Sequence, residues 1–243
     1  MKSEKKTLLI FDFDKTIIDV FSEFNLVENM LPEFYKERNG NLIEKDWIPF
    51  NNLFYKKIKE KGYKWEDVKK YYEENYIFTP NFKELFEYLK KNKDKFDLLI
   101  VTANQYILIE TTLKHLGIYE LFKDIICNNS CLDDENIIKI WSLNKKYEKN
   151  CEDCRPYLCK TLAFKDYMIN HDINEYKKIV FICDGSNDVC LTRKVLREND
   201  VVCPRLNYPC YNILSKEKKY QIKCKLIPWE NGNDIIKFLN SEN

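Results

Sequence analysis

The chain has 243 residues, 44% of them hydrophobic, and sets 40 Lys+Arg against 39 Asp+Glu for a net charge of +1. A balance this even supplies no long-range field for nucleic acid or an anionic membrane surface. Only five residues are glycine, none spaced as G-x-G-x-x-G or G-x-x-x-x-G-K-[ST], which excludes the glycine-rich loops that cradle nucleotide phosphates.

The first residues, MKSEKKTLLIFDF, lack the apolar run of a signal peptide. No stretch approaches the roughly 18 apolar residues of a membrane span. Of the ten cysteines, Cys127 and Cys183 sit in apolar runs and read as reduced core residues of a cytoplasmic protein.

Short apolar runs alternate with longer amphipathic ones, the pattern of an α/β sheet. Residues 8–11 (LLIF) predict the first buried strand. Residues 20–79 carry no strand signal and read as several aromatic-rich helices, predicting a helical cap inserted after the first strand. Its aromatics, including Phe21, Phe24, Phe34, Trp47, Phe50 and Tyr55, suit helix packing first and a cation–π wall second. After Pro80, Phe82, Leu85, Phe86 and Leu89 recur at helical spacing. Residues 96–101 (FDLLIV) predict the second strand, and residues 105–116 a helix closed by Gly117. Residues 125–127 read as a short strand, 160–170 and 187–196 as helices, 178–183 (KIVFIC) and 200–203 as strands, and 233–239 as a closing helix.

Two of these strands run straight into carboxylates. Residues 8–11 lead into Asp12-Phe13-Asp14-Lys15-Thr16. In an extended backbone Asp12 and Asp14 project to one face, with Phe11 and Phe13 to the other. Ligands of open α/β sheets bind beyond the strands' carboxyl ends. There, one carboxylate suits a covalent nucleophile and the other a general acid/base. A second apolar strand ends in Asp184-Gly185-Ser186-Asn187-Asp188. Asn187 and Asp188 also suit a helix cap, which leaves Asp184 unexplained. If the two strands are parallel neighbours, Asp12, the Asp14 backbone carbonyl, Asp184 and Asp188 converge on a site for Mg²⁺, which favours oxygen ligands. Thr102 ends a strand with a hydroxyl for a phosphoryl oxygen, and Lys160 is a candidate counter-ion.

FDFDKT, the strand-terminal Thr102, the downstream Lys160 and DGSND resemble, in composition and chain order, the haloacid dehalogenase-type phosphatases. CEDCRPYLCK, DGSNDVC, CPRLNYPCYNIL and IPWE narrow the resemblance to the phosphoethanolamine/phosphocholine phosphatase family, which includes pyridoxal phosphate phosphatases. The resemblance implies a Rossmann-like core with a parallel sheet over residues 1–19 and 80–243, and a helical cap over 20–79. It implies a Mg²⁺-dependent phosphomonoesterase that hydrolyses a small phosphorylated metabolite through an aspartyl-phosphate. Asp12 is then the nucleophile and Asp14 the general acid/base. Thr102, Asn104, Lys160 and Glu23 bind substrate, and Asp12, the Asp14 carbonyl, Asp184 and Asp188 hold Mg²⁺. Where relatives resemble Ser-Asp-x-Asn and use the Asp for a substrate ammonium group, this chain reads Thr102-Ala103-Asn104, leaving Glu23 as the remaining acid of that pocket. Pyridoxal phosphate or a broad range of esters is the alternative substrate. A non-catalytic binding or regulatory protein on this fold is the contrasting class, and the intact set Asp12, Asp14, Lys160, Asp184 and Asp188 weighs against it.

Cys151, Cys154 and Cys159 form C-x₂-C-x₄-C just before Lys160. Packing, a structural Zn²⁺ and a redox pair each suit this spacing. Zinc needs a fourth ligand, for which Cys131 is one choice.

Overall fold

A computed structural model describes residues 5–37, 47–143, 151, 154, 158–217 and 220–242. Among the described residues a seven-stranded sheet runs in the order β4-β3-β2-β1-β5-β6-β7. The strands are β1 (Thr7–Phe11), β2 (Phe96–Gln105), β3 (Phe122–Leu132), β4 (Ile138–Trp141), β5 (Lys178–Cys183), β6 (Val201–Pro204) and β7 (Lys225–Leu226). All neighbours pair in parallel except β3 and β4, which are antiparallel. β1 lies between β2 and β5, with Phe11 level with both Ile100 and Ile182. From β1 the chain builds outward through β2 and β3, then returns to the other side of β1 as β5. That reversal is the switch point where open α/β sheets bind ligands.

The period-two alternation of the strands separates two cores. Leu8 and Ile10 join Leu99, Val101, Phe181 and Val202 on one face, packed with Ala163 and Phe164. Leu9 and Phe11 join Ile100, Val180 and Ile182 on the other. There Phe11 meets the rings of Phe86 and Phe122 at 5.6 and 6.1 Å.

The helical excursion predicted over residues 20–79 forms α1 (Ser22–Met30), α2 (Pro32–Glu37), α3 (Trp47–Glu60) and α4 (Trp65–Asn75). Its two connections run side by side: Ile18 bridges Phe78, and the Thr79 N–H donates to the Ile17 carbonyl at 3.0 Å. The excursion buries its apolar face in the same cluster as Leu9 and Phe11, through Leu26, Phe54, Tyr72 and Tyr76. Below it, α5 (Phe82–Lys91) follows Pro80, and α6 (Tyr106–His115) ends at Gly117, whose φ of 71° is the left-handed closure expected there. The remaining helices are α7 (Lys160–Ile169), α8 (Asp188–Val195), α9 (Pro209–Lys216) and α10 (Gly232–Ser241). No described helix is long and apolar enough to cross a membrane.

The structure departs from the sequence reading mainly at the sheet margins. β3 extends well past residues 125–127 because its second half pairs with β4, a four-residue edge strand. β7 has two residues, too few to carry a period. β2 runs on to Gln105 but loses register with β3 between Val101 and Gln105. This irregularity frees Thr102, Ala103 and Asn104 to line a cavity, as bulges beside functional sites commonly do. Asn128, fully buried on β3, holds the irregularity by donating to the Ala103 carbonyl at 2.7 Å.

Candidate active site

A cavity of about 210 Å³ opens above the carboxyl ends of β1, β2 and β5. Its floor includes Asp12, Asp14, Thr102 and Asp184, and Phe21, Phe24 and Trp47 of the helical excursion line its other side. Phe34, Phe50, Phe54 and Tyr55, by contrast, are buried in helix packing.

Asp12 leaves β1 with its N–H still bonded to the Ile182 carbonyl of β5 at 2.9 Å. Phe13 is fully buried, and the chain then turns through Lys15 at a φ of 55°. Asp12 and Asp14 therefore share the cavity through a loop turn rather than a continuing strand, and Asp12 adds its charge to the burial that raises Asp14. The turn is anchored from the residue just past β6: Arg205 donates to the Lys15 carbonyl at 2.8 Å and to Asp19 Oδ1 at 2.7 Å. Its guanidinium sits over the rings of Tyr208 and Trp229.

Lys160 opens α7 and is completely buried. Its Nζ lies 2.9 Å from Asp12 Oδ1 and 2.5 Å from Asp188 Oδ1. Burial works against this ammonium, but Asp12 and Asp188 outweigh it and hold the lysine protonated well above its ordinary range. Burial pushes the Asp188 carboxyl up to about 6, against the pull of Lys160. Asp184 is pushed well above the carboxylate range by burial, then by Asp12 and Asp188.

Asp188 does not cap α8 through its side chain. Its Oδ2 accepts from the N–H groups of Gly185 at 2.7 Å and Asp184 at 3.3 Å, closing the strand-end turn back on itself. Gly185 sits in close quarters rather than at an unusual φ: a Cβ there would lie 2.5 Å from Asn187 Oδ1, the movable end of a side chain, and 3.3 Å from Asp188 Oδ2. Thr16 ties the two acidic strand ends together, its hydroxyl donating to Asp184 Oδ1 at 3.4 Å.

One carboxylate oxygen from each of Asp12, Asp184 and Asp188 lies within 4.8 Å of the others. These are hard oxygen donors, all buried, and their charges exceed what the Lys160 ammonium offsets. The donor set fits Mg²⁺, which takes carboxylates together with water and phosphate oxygens.

Asp14 sits in a separate polar network. Its Oδ2 accepts from the N–H and the hydroxyl of Ser22, both at 3.0 Å, and its Oδ1 accepts from Asn104 Nδ2 at 3.1 Å. Asn104 Nδ2 also donates to Ser22 Oγ at 2.7 Å, so this amide is engaged in positioning the acid. Ser22 Oγ lies 2.9 Å from Glu23 Oε2 as well. One hydroxyl hydrogen cannot serve two carboxylates, so the network is complete only when Asp14 or Glu23 carries a proton. Burial raises both: Asp14 to about 7, against the hydrogen bonds from Ser22, and Glu23 well above its ordinary value. Glu23 Oε1 is buried without a hydrogen-bond partner, on a residue that lines the cavity. The sequence reading gave Ser22 and Asn128 no part in the site and quoted Thr16 and Arg205 only within motifs, because Thr16, Arg205 and Asn128 act on partners far along the chain and Ser22 on a network that Asn104 completes.

The cluster of Cys151, Cys154 and Cys159 is not part of this cavity's lining. Its fourth neighbour is Cys190 of α8, not Cys131, which is exposed on β3.

Residues 7–242 match the family described as Putative Phosphatase. The chain is 30% identical to the human pyridoxal phosphate phosphatase PHOSPHO2, with 96% of this chain and 97% of that protein covered. It is 28% identical to the Gallus gallus phosphoethanolamine/phosphocholine phosphatase, covering 96% of this chain and 88% of that protein. Among solved structures, a phosphoserine phosphohydrolase-like protein from Francisella tularensis subsp. tularensis SCHU S4 superposes with a TM-score of 0.59 at 17% identity, covering 97% of this chain and 100% of that one.

Proposed function

The chain belongs to the Putative Phosphatase family and is a phosphatase with a haloacid dehalogenase-type fold; from that premise we propose that it is a Mg²⁺-dependent phosphomonoesterase that works through an aspartyl-phosphate on Asp12. The observation that carries this reading is the pairing of two unlike carboxyls on one cavity floor. Asp12 is held by a buried ammonium, while Asp14 is raised by burial to about 7. An acid raised toward neutral pH suits proton transfer, which leaves its neighbour beside the ammonium for attack on phosphorus.

In the first step an Asp12 carboxylate oxygen attacks phosphorus and the ester P–O bond breaks in line. The departing oxygen takes the proton from Asp14. In the second step Asp14, now a carboxylate, accepts a proton from water as that water cleaves the acyl phosphate and frees Asp12. Asn104 and Ser22 hold the Asp14 carboxyl in place for both transfers. The Thr102 hydroxyl donates to a phosphoryl oxygen, and Lys160 fixes Asp12 and offsets charge. Asp12, Asp184, Asp188 and the Asp14 backbone carbonyl would hold Mg²⁺, which when bound neutralises charge on the phosphoryl oxygens. Residues 20–79 serve as the cap that excludes water, with the paired connections at residues 17–19 and 77–79 as its boundary with a core of residues 1–19 and 80–243.

The substrate is a small phosphorylated metabolite whose head carries N–H or O–H donors. Glu23 Oε1 is an acceptor in need of a donor, and Ala103 adds no second acid to the cavity. A quaternary ammonium has no N–H to offer. Pyridoxal phosphate is a second reading, favoured by the 30% identical relative of that activity. Hydrolysis of p-nitrophenyl phosphate should require Mg²⁺ and disappear in Asp12→Asn; wild-type activity in that variant would sink the mechanism. In a panel of phosphoethanolamine, phosphocholine, pyridoxal phosphate and nucleotides, a strong preference for phosphocholine would overturn the donor argument.

A further inference from the structure

A second cluster of metal-type side chains is not part of the cavity's lining. The sulfurs of Cys151, Cys154, Cys159 and Cys190 all lie within 4.8 Å of one another. Two come from the segment before α7, Cys159 stands at the N-cap of α7, and Cys190 lies in the first turn of α8. Cys190 Sγ is 3.1 Å from Cys151 Sγ and 3.8 Å from Cys159 Sγ. Four sulfurs bonded tetrahedrally to zinc at about 2.3 Å stand roughly 3.8 Å apart. All four are free thiols. A disulfide would join two of them and leave the other two crowded against it.

Polar groups reach three of the four sulfurs. The Thr161 hydroxyl lies 2.9 Å from Cys190 Sγ, and Lys194 Nζ donates to Cys151 Sγ at 3.3 Å. The Leu162 N–H, in the first turn of α7, bonds to Cys159. Donors of this kind hold metal-bound sulfur in place and offset its charge.

We propose that Cys151, Cys154, Cys159 and Cys190 bind one structural Zn²⁺. Each thiol loses its proton to solvent as its sulfur binds, with no change of oxidation state. Four protein ligands close the coordination shell, so this zinc has no open position for chemistry. Its role is positional. Cys159 immediately precedes Lys160, and Cys190 lies two residues beyond Asp188. The metal therefore clamps together the two helix starts that carry the Lys160–Asp188 ion pair.

The test is elemental analysis of protein purified under reducing conditions without added metal. About one zinc per chain is expected in wild type and equally in Asp12→Asn, which separates this site from the carboxylate site. Cys190→Ser and Cys154→Ser should each lower zinc occupancy about tenfold, while Cys131→Ser leaves it unchanged. Because Cys190→Ser can unfold the chain, Co²⁺ exchanged into wild type gives an independent readout. Thiolate-to-cobalt charge transfer and the intense visible bands of a tetrahedral site are expected. The proposal is overturned by zinc below roughly a tenth of an atom per chain together with no such bands. It is equally overturned by iron in zinc's place, or by a disulfide within the cluster in the protein as isolated without reductant.

Discussion

Replacing Lys160 with methionine removes the cation from between two buried carboxylates while keeping the length of the side chain. Lys160 and Asp188 are both fully buried, and the ammonium lies 2.9 Å from Asp12 and 2.5 Å from Asp188. Breaking a buried ion pair from one side costs about 3–5 kcal/mol, because the remaining charge stays buried without its partner. For a chain of this size that is a fall in Tm of roughly 6–20 °C. The cost depends on pH, and the sign follows from Asp188. Its folded-state pKa is already raised to about 6 by burial, and Lys160 is what restrains the rise. An acid with a raised folded pKa is most stable when protonated and loses stability as pH climbs toward that pKa. Without Lys160 the folded pKa moves higher still, so the variant goes on losing stability above pH 6, where wild type has levelled off. Urea titrations in EDTA at pH 5 and pH 8 should show a smaller deficit at the lower pH. Equal deficits at both would refute the idea that Lys160 stabilises by compensating buried carboxylates.

Three further outcomes follow from the site. The Ser22 hydroxyl lowers the Asp14 pKa from what burial alone would set. Ser22→Ala should therefore move the basic limb of kcat/KM, governed by loss of the Asp14 proton, upward from near pH 7; a downward or absent shift rejects Asp14 as the acid. Glu23→Gln should raise KM for phosphoethanolamine about 10- to 100-fold, the worth of one hydrogen bond to a charged group, and leave p-nitrophenyl phosphate hydrolysis nearly unchanged. Equal losses on both substrates would place Glu23 in the chemical step instead. Arg205→Gln removes the support of the turn at Lys15 and should cost about 1–3 kcal/mol in urea unfolding together with a fall in kcat, and an unaltered kcat would show that the turn holds its shape unaided.

The resemblance in Asp12-x-Asp14 and Asp184-x-x-x-Asp188 pointed to phosphatase chemistry, and the bare residues also carried part of that signal. An aspartate that terminates an apolar strand is visible locally, since burial of the strand and exposure of its end are written in adjacent residues. The same locality made β1, the first half of β2, β5 and most helices readable. β4 and β7 were not, since a strand of four or two residues owes its existence to the neighbour it pairs with. Pairing Asp12 and Asp14 by strand alternation anticipated their shared cavity but not the means, a loop turn through Lys15 pinned from the residue just past β6.

By itself, the sequence determined the chemical repertoire of this protein: carboxylates at strand ends, one lysine at the start of a helix, and no glycine loops to cradle phosphate. Tertiary structure alone decided which groups become unlike one another. Asp12 and Asp14 are two residues apart, yet one rests against the Lys160 ammonium and the other is raised by burial among Ser22, Asn104 and Glu23. In the same way Cys190, over thirty residues from Cys154, completes a cluster that spacing left one ligand short. The physical reason is common to both cases. Desolvation and Coulomb interaction depend on distance in space, and a folded chain sets those distances through contacts that no local window contains.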